Sequence, residues 1–333
     1  MLGAFLNAFT NMLFIIVPIF IIIGIGIMVR RLRWLDNAGI TTRQASTFLN
    51  TLVINLTLPA VVFTALARVE TLEIGLLKIP LIAYVIIGIS AGISYLVTKK
   101  LNYRRETAGA FIICAMCGST AFFGYSIFDA LAGEGGQGLE ATQGYTALYS
   151  ELGTLIPLMT ASVLIASRFG EGKAFNLRDS LISIFRFAPF IWLVISLLFW
   201  RETHGEGGVP GVFRSTLDIM RGATIFLIML SLGLTITISD ILQYWKSTLL
   251  VNAIKLVVAP LLAIICGLVL KLPADQFLVV VVNSAVPCIL LSISYSTQYK
   301  LDVGFASTAV FSSFFLCLLT LPIFYGLAYI LQP

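Results

Sequence analysis

Two short stretches of this chain place helix-breaking and hydrogen-bonding residues in apolar surroundings. One is Cys117-Gly118-Ser119-Thr120, with Gly124 a turn later, and the other is Asn283-Ser284 followed by Pro287-Cys288. Hydroxyls, a carboxamide and a thiol make poor covalent catalysts without a base beside them. They suit binding, because a broken helix frees backbone N–H groups and each half-helix that starts at the break carries about half a positive charge at its N-terminus. Such ends attract anions. Two ionisable side chains lie in equally apolar runs, Glu151 in ALYSELGTLIP and Lys255 in VNAIKLVVAP. An ionisable group at membrane depth is costly unless it is paired or functional. Glu151, about two turns into its segment, reads as the coupling-ion residue, with a structural carboxylate held by Thr120 or Ser150 as the competing reading. Lys255 reads as a gating or charge partner, near enough to a helix end to snorkel.

Catalytic and metal chemistry find little support. A zinc protease needs H-E-x-x-H and a serine hydrolase needs a histidine beside its nucleophile, whereas the single histidine, His204, falls in a loop. Cys114 and Cys117 form a C-x-x-C with no second ligand pair, and with Cys266, Cys288 and Cys317 they read as small apolar packing residues. The expectation is no enzyme, no metal site and no cofactor beyond a coupling proton or sodium ion.

The elements that must position these residues are membrane helices. Hydrophobic residues make up 59% of the 333 and charged ones 11%, with mean hydropathy +0.99, far above a soluble domain. At roughly 20 apolar residues per crossing, ten spans fit: Phe5–Val29, Thr47–Ala67, Ile79–Val97, Ala108–Leu131, Tyr145–Ser167, Leu181–Trp200, Ile219–Ile238, Leu249–Leu270, Phe277–Tyr295 and Val303–Ile330. The first is too long for a signal-peptide core. The sixth is the weakest, with Arg186 and Pro189 near its start.

Every second loop is basic: Arg30, Arg31, Arg33 and Arg43, then Lys99, Lys100, Arg104 and Arg105, then Arg168, Lys173 and Arg178. The alternate loops carry Glu70, Glu73, Glu134, Glu140, Glu202 and Glu206. The positive-inside rule makes the basic loops cytoplasmic and both termini extracytoplasmic in a plasma (cell inner) membrane. The net charge of +5 is then an orientation signal and an attraction to lipid headgroups, not a nucleic-acid footprint.

Five spans precede the cytoplasmic segment 168–180 and five follow it. Residues 1–167 and 181–333 therefore form two five-helix repeats of opposite orientation, the logic of secondary transporters. Spans four and nine correspond in the two halves, and both are broken. Exposed backbone at that depth must be buried in protein or line an aqueous cavity, so the breaks are expected to cross and share a site. A simple kink at Pro287 in a packed helix is the alternative. The fold expected is an all-α polytopic membrane protein of ten helices, with broken crossover helices four and nine. Its substrate-binding residues would be Asn55, Ser119, Thr120, Asn283, Ser284, Pro287 and Cys288. Asn55 is preferred to Asn50 for its closeness to Pro59. Asp218 and Arg221, three apart, read as a local helical pair.

Six ordered motifs then resemble the auxin efflux carrier family in its short-loop form, over nearly the whole chain. NTLVINLTLPAVVF resembles that family's Asn-to-Pro segment, with Asn50 and Pro59 in register. GSTAFFGYS is similar to P-N-T-x-x-x-G-x-P, keeping Thr120 and Gly124 but with Gly118, Ser119 and Ser126 in place of proline, asparagine and proline. SLGL at Ser231 to Leu234 matches, Lys255 and Pro260 follow the family's basic residue and proline, NSAVPC is similar to Q-x-A-L-P-Q, and FASTAVFSSFFLCLLTLP follows S-T-x-V…L-P. The resemblance implies two inverted five-helix repeats, as in bile-acid sodium symporters and sodium–proton antiporters. It also places Glu151 where the family has a glutamine near the substrate cavity. The function expected is ion-coupled secondary transport of a small organic anion, a carboxylate, by alternating access; a bile-acid-symporter-like carrier, an anion channel and a transporter-derived sensor are the alternatives. A homodimer is among the oligomeric options.

Overall fold

In the computed structural model, residues 2–35, 39–67, 69, 73–133, 140–171, 175–200, 210–235 and 241–332 are described. Among them the regular structure is helical, apart from one isolated antiparallel bridge between Gly118 and Cys288. In chain order the helices are α1 (Leu2–Arg31), α2 (Thr42–Leu66), α3 (Ile74–Lys100), α4 (Arg105–Met116), α5 (Tyr125–Gly133), α6 (Ala141–Phe169), α7 (Leu177–Arg186), α8 (Ala188–Leu198), α9 (Gly211–Thr235), α10 (Tyr244–Val269), α11 (Ala274–Ser284), α12 (Leu291–Gln298) and α13 (Val303–Leu331). Seven of them, among the described residues, are each long and apolar enough to cross a membrane.

The pair α7 and α8, bent by 66° at Phe187, makes an eighth candidate if its two halves are taken as one span. Pro189 lies in the first turn of α8, where its missing N–H costs nothing, and its ring disfavours continuing the preceding helix. The remaining apolar segments are the interrupted ones, α4 with α5 and α11 with α12.

Local sequence explains the other irregularities. Wide π-turns occupy Val53–Thr57 in α2, Leu148–Thr154 in α6 and Ile254–Val258 in α10. Each lies just before a proline, Pro59, Pro157 or Pro260. A proline cannot donate to the carbonyl four residues back and its ring clashes with it, so the ladder widens by one residue there. Asn55, Glu151 and Lys255 all ride on these turns, and Thr120 opens a fourth at Thr120–Gly124.

The chain reverses direction from segment to segment, and its ends collect in two groups. At one end the Tyr103 hydroxyl donates to Ser247 Oγ at 2.6 Å, Arg105 donates to the Arg168 carbonyl, and Asp302 accepts from Thr107 Oγ1 at 2.8 Å and Tyr244 at 3.3 Å. Basic Arg105 and Arg168 therefore share this end with the last-turn Lys99 and Lys100 of α3. At the other end Trp200 Nε1 donates to the Val69 carbonyl at 2.9 Å and Lys78 Nζ to that of Leu270 at 3.5 Å.

Packing separates two groupings. α9 lies along α1 and α2, with α8 against the second half of α2, while α3, α4 and α6 pack together and α10 and α11 pack with α13. The α1–α9 crossing depends on glycine, since a Cβ on Gly26 would lie 2.5 Å from the Leu230 carbonyl oxygen and 2.8 Å from Gly233 Cα. Small residues at such crossings let backbones meet in lipid, where dispersion replaces the hydrophobic effect. The loop residues Glu70, Glu134, Lys173, Glu202, His204 and Glu206 fall outside the described residues.

Candidate functional site

The two interrupted segments meet at their breaks. Ser119 N donates to the Pro287 carbonyl at 2.9 Å and Ile289 N to that of Cys117 at 3.2 Å. These bonds are the Gly118–Cys288 bridge: backbone groups released by one broken helix are satisfied by the other, deep in the protein, as a low-dielectric interior requires. Cys288 N is held by Ser313 Oγ of α13 at 3.0 Å.

Beside this crossing lies a cavity of about 820 Å³ counted out to its mouth. Its walls take Asn50 and Ile54 from α2, Ser119 to Phe122 from the first break, Ser150, Glu151, Thr154 and Leu158 from α6, Phe187 at the α7–α8 bend, and Ile289 to Leu291 with Ser294 from the second. The N-terminal ends of both second half-helices, at Thr120 and at Leu291, therefore reach one space. Neither end carries a side-chain cap.

Glu151 is the charged residue of the lining, and it is only 1% exposed. The Tyr125 hydroxyl donates to its Oε1 at 3.4 Å, while the adjacent Ser150 Oγ accepts from Thr120 Oγ1 at 3.2 Å. No ion pair of Glu151 is found among the described residues. Ser119 Oγ is buried without a hydrogen-bond partner among the described residues.

Of the residues expected from sequence, Ser119, Thr120 and Glu151 line the cavity. Asn283, Ser284, Pro287 and Cys288 are not part of its wall; Pro287 and Cys288 lie in the crossing itself. Asn283 Nδ2 donates to Val279 O at 3.0 Å and to Thr146 Oγ1 at 3.3 Å, and its carboxamide oxygen rests on Gly124, where no side chain would fit. Lys255 also lies behind the crossing, with Nζ donating to the Ser284 carbonyl at 2.8 Å. That carbonyl is at the C-terminus of α11, the negative end of a half-helix. A Cβ on Gly118 would sit 2.8 Å from Lys255 Nζ, so the glycine makes room for the ammonium.

Two expectations need correction. Asn55 is exposed, with its carboxamide turned back to the Thr51 carbonyl at 2.9 Å. Asn50, held by Ser231 Oγ at 2.9 Å, faces the cavity instead. Proximity to Pro59 was the wrong guide, because residues five apart on a helix point to different sides of it at about 100° per residue. Arg221 does not pair with Asp218; it bridges to Asp129 of α5 at 2.7 Å. Asp129 and Gln143 were not recognisable as partners from a three-residue spacing rule, since they lie far away in sequence. Cys114 and Cys117 are buried free thiols, and among the described residues no cluster of metal-ligating side chains occurs.

An all-helical membrane chain whose interrupted helices meet beside an internal, mostly apolar cavity holding a buried carboxylate belongs, as a class, with the membrane transporters. A family profile described as "Membrane transport protein" matches residues 12–182 and 175–325, and the chain belongs to that family, the auxin efflux carriers. An uncharacterized transporter of Methanothermobacter thermautotrophicus is 26% identical over 290 residues, covering 86% of this chain and 90% of that protein. An uncharacterized transporter of Methanocaldococcus jannaschii is 24% identical over 278 residues, covering 82% of this chain and 86% of that one. By this membership the protein is an integral membrane transporter and not an enzyme.

Proposed function

We propose that the protein is a secondary active transporter that moves a small organic anion, a carboxylate, across the cell inner membrane by alternating access, coupled to a proton or a sodium ion at Glu151. In this reading the seven long helices, the bent pair and the two interrupted segments are ten spans. They form two inverted repeats, 1–167 and 181–333, joined by 168–180, with both termini extracytoplasmic.

One observation carries the reading: two uncapped half-helix N-termini and a buried carboxylate, without an ion pair among the described residues, share a cavity. The half-helix ends favour an anion. An anionic substrate and an ionised Glu151 repel, by about 4 kcal/mol at 4 Å with an effective dielectric near 20. A proton or metal cation on Glu151 removes that repulsion, so loading the substrate and loading the cation favour one another. That mutual dependence is what coupling requires.

The reading is tested by thermal unfolding of the purified protein with a panel of small aliphatic and aromatic carboxylates, each with sodium or potassium as the counter-ion and at two pH values. A carboxylate that binds the native state raises the midpoint by mass action, and the cation or pH on which the rise depends names the coupling ion. Stabilisation by organic cations alone would refute the anion assignment.

A further inference from the structure

Beyond the cavity, on the side away from the basic loops, a second polar group is unused by the transport reading. Asp129 of α5 accepts from Arg221 Nη2 of α9 at 2.7 Å and from Gln143 Nε2 of α6 at 2.9 Å, and Arg221 Nη1 donates to Gln143 Oε1 at 3.4 Å. Three side chains from three helices thus close a ring of charge-assisted bonds. The space they border is narrow, about 280 Å³ against about 820 Å³ for the cavity, and Val61, Ile225 and Ile228 fill out its wall.

The geometry points to a gate: the Asp129–Gln143–Arg221 ring seals the cavity from the face opposite the basic loops and must part for the cavity to open there. The inference rests on the transport reading above.

Three features support it. First, the cavity opens the other way. Asn50 in the first half of α2, Leu158 in the second half of α6, Phe187 at the α7–α8 bend and exposed Ser294 in the middle of α12 place its open side toward the basic end. Second, Tyr125 stands between the two spaces, lining the narrow one while its hydroxyl donates to Glu151. The ring is therefore the next polar layer outward from the proposed coupling residue. Third, the ring ties together helices that otherwise barely meet. α9 packs along α1 and α2 and makes at most slight backbone contact with α5 or α6.

An ion pair suits such a position. Side-chain exposures of 17% for Arg221 and 21% for Asp129 leave water at hand to solvate both groups on parting, so the ring holds the closed state without a large penalty on opening. An apolar plug of the same size would have to be hydrated outright.

The test uses the full chain carrying Ala121→Cys, a cavity-lining position at the first half-helix end, in right-side-out and inside-out vesicles with a membrane-impermeant maleimide. With the ring intact, labelling from the basic-loop face is expected and labelling from the opposite face is slow. Asp129→Asn and Arg221→Gln are each expected to speed labelling from the opposite face about tenfold, the shift that loss of ~1.4 kcal/mol of closing energy produces. The double swap Asp129→Arg with Arg221→Asp is expected to slow it again. Unchanged labelling from the opposite face in the folded single variants overturns the gate. If a single variant does not fold, Gln143→Ala, which leaves the ion pair in place, is read instead, and an unchanged rate there overturns it equally. A cavity that labels from neither face with the ring intact refutes the transport reading and not the gate alone.

Discussion

Glu151 offers the sharpest separation between a coupling group and a structural one. The perturbation is a pair, Glu151→Gln and Glu151→Ala. Glutamine keeps the volume of the side chain and an oxygen to accept from Tyr125, whose hydroxyl lies 3.4 Å from Oε1, but it has no charge to titrate or to hold a cation. Because the buried carboxylate has no ion-pair partner among the described residues, replacing it with a neutral isostere is expected to leave stability unchanged or raised. Alanine instead leaves the buried Tyr125 hydroxyl unpaired, a cost of about 1–3 kcal/mol. For a chain of this size that is a fall in midpoint of about 1–4 °C. The assay is thermal unfolding with a thiol-reactive dye, since Cys114, Cys117, Cys288 and Cys317 are buried in the native fold and report its loss. The second readout is uptake into proteoliposomes of a carboxylate found in the binding screen. Glu151→Gln is expected to keep substrate exchange and to lose ion-driven accumulation. Full ion-dependent accumulation by Glu151→Gln would refute the coupling role. A midpoint as low as that of Glu151→Ala would make the carboxylate a structural brace.

Two further outcomes follow from the geometry. Asn50→Ala is expected to weaken carboxylate binding about 2–10-fold, the worth of one ordinary hydrogen bond, while Asn55→Ala leaves it unchanged; isothermal titration decides, and the opposite ranking would place the wrong face of α2 on the cavity. Gly118→Ala puts a Cβ 2.8 Å from both Lys255 Nζ and Val286 Cγ2 and is expected to cost about 1–3 kcal/mol by overpacking. Gly24→Ala, where nothing lies within 4 Å, serves as the control in the same thermal assay.

What the sequence settled by itself was set by local composition and covalent geometry. Apolar runs of membrane length are legible because lipid leaves no alternative to the helix. The breaks at Cys117–Thr120 and at Asn283–Pro287 are legible because glycine and proline act on their own backbone. Ser119, Thr120 and Glu151 stood out as polar groups where polarity is costly, and they do line the cavity.

Facing and pairing were decided only in three dimensions. Asn50 and Asn55 are the same residue type on the same helix, and only the packing of α2 in the bundle decides which one sees the cavity. Lys255 reads in sequence as a gating or charge partner, and which group it meets, the Ser284 carbonyl, is decided by the α11 break ending within its reach. Arg221 finds Asp129, not its helical neighbour Asp218, since folding brings α5 and α9 to one end of the bundle. Each of these choices depends on contacts between segments far apart in the chain, and no local spacing encodes them.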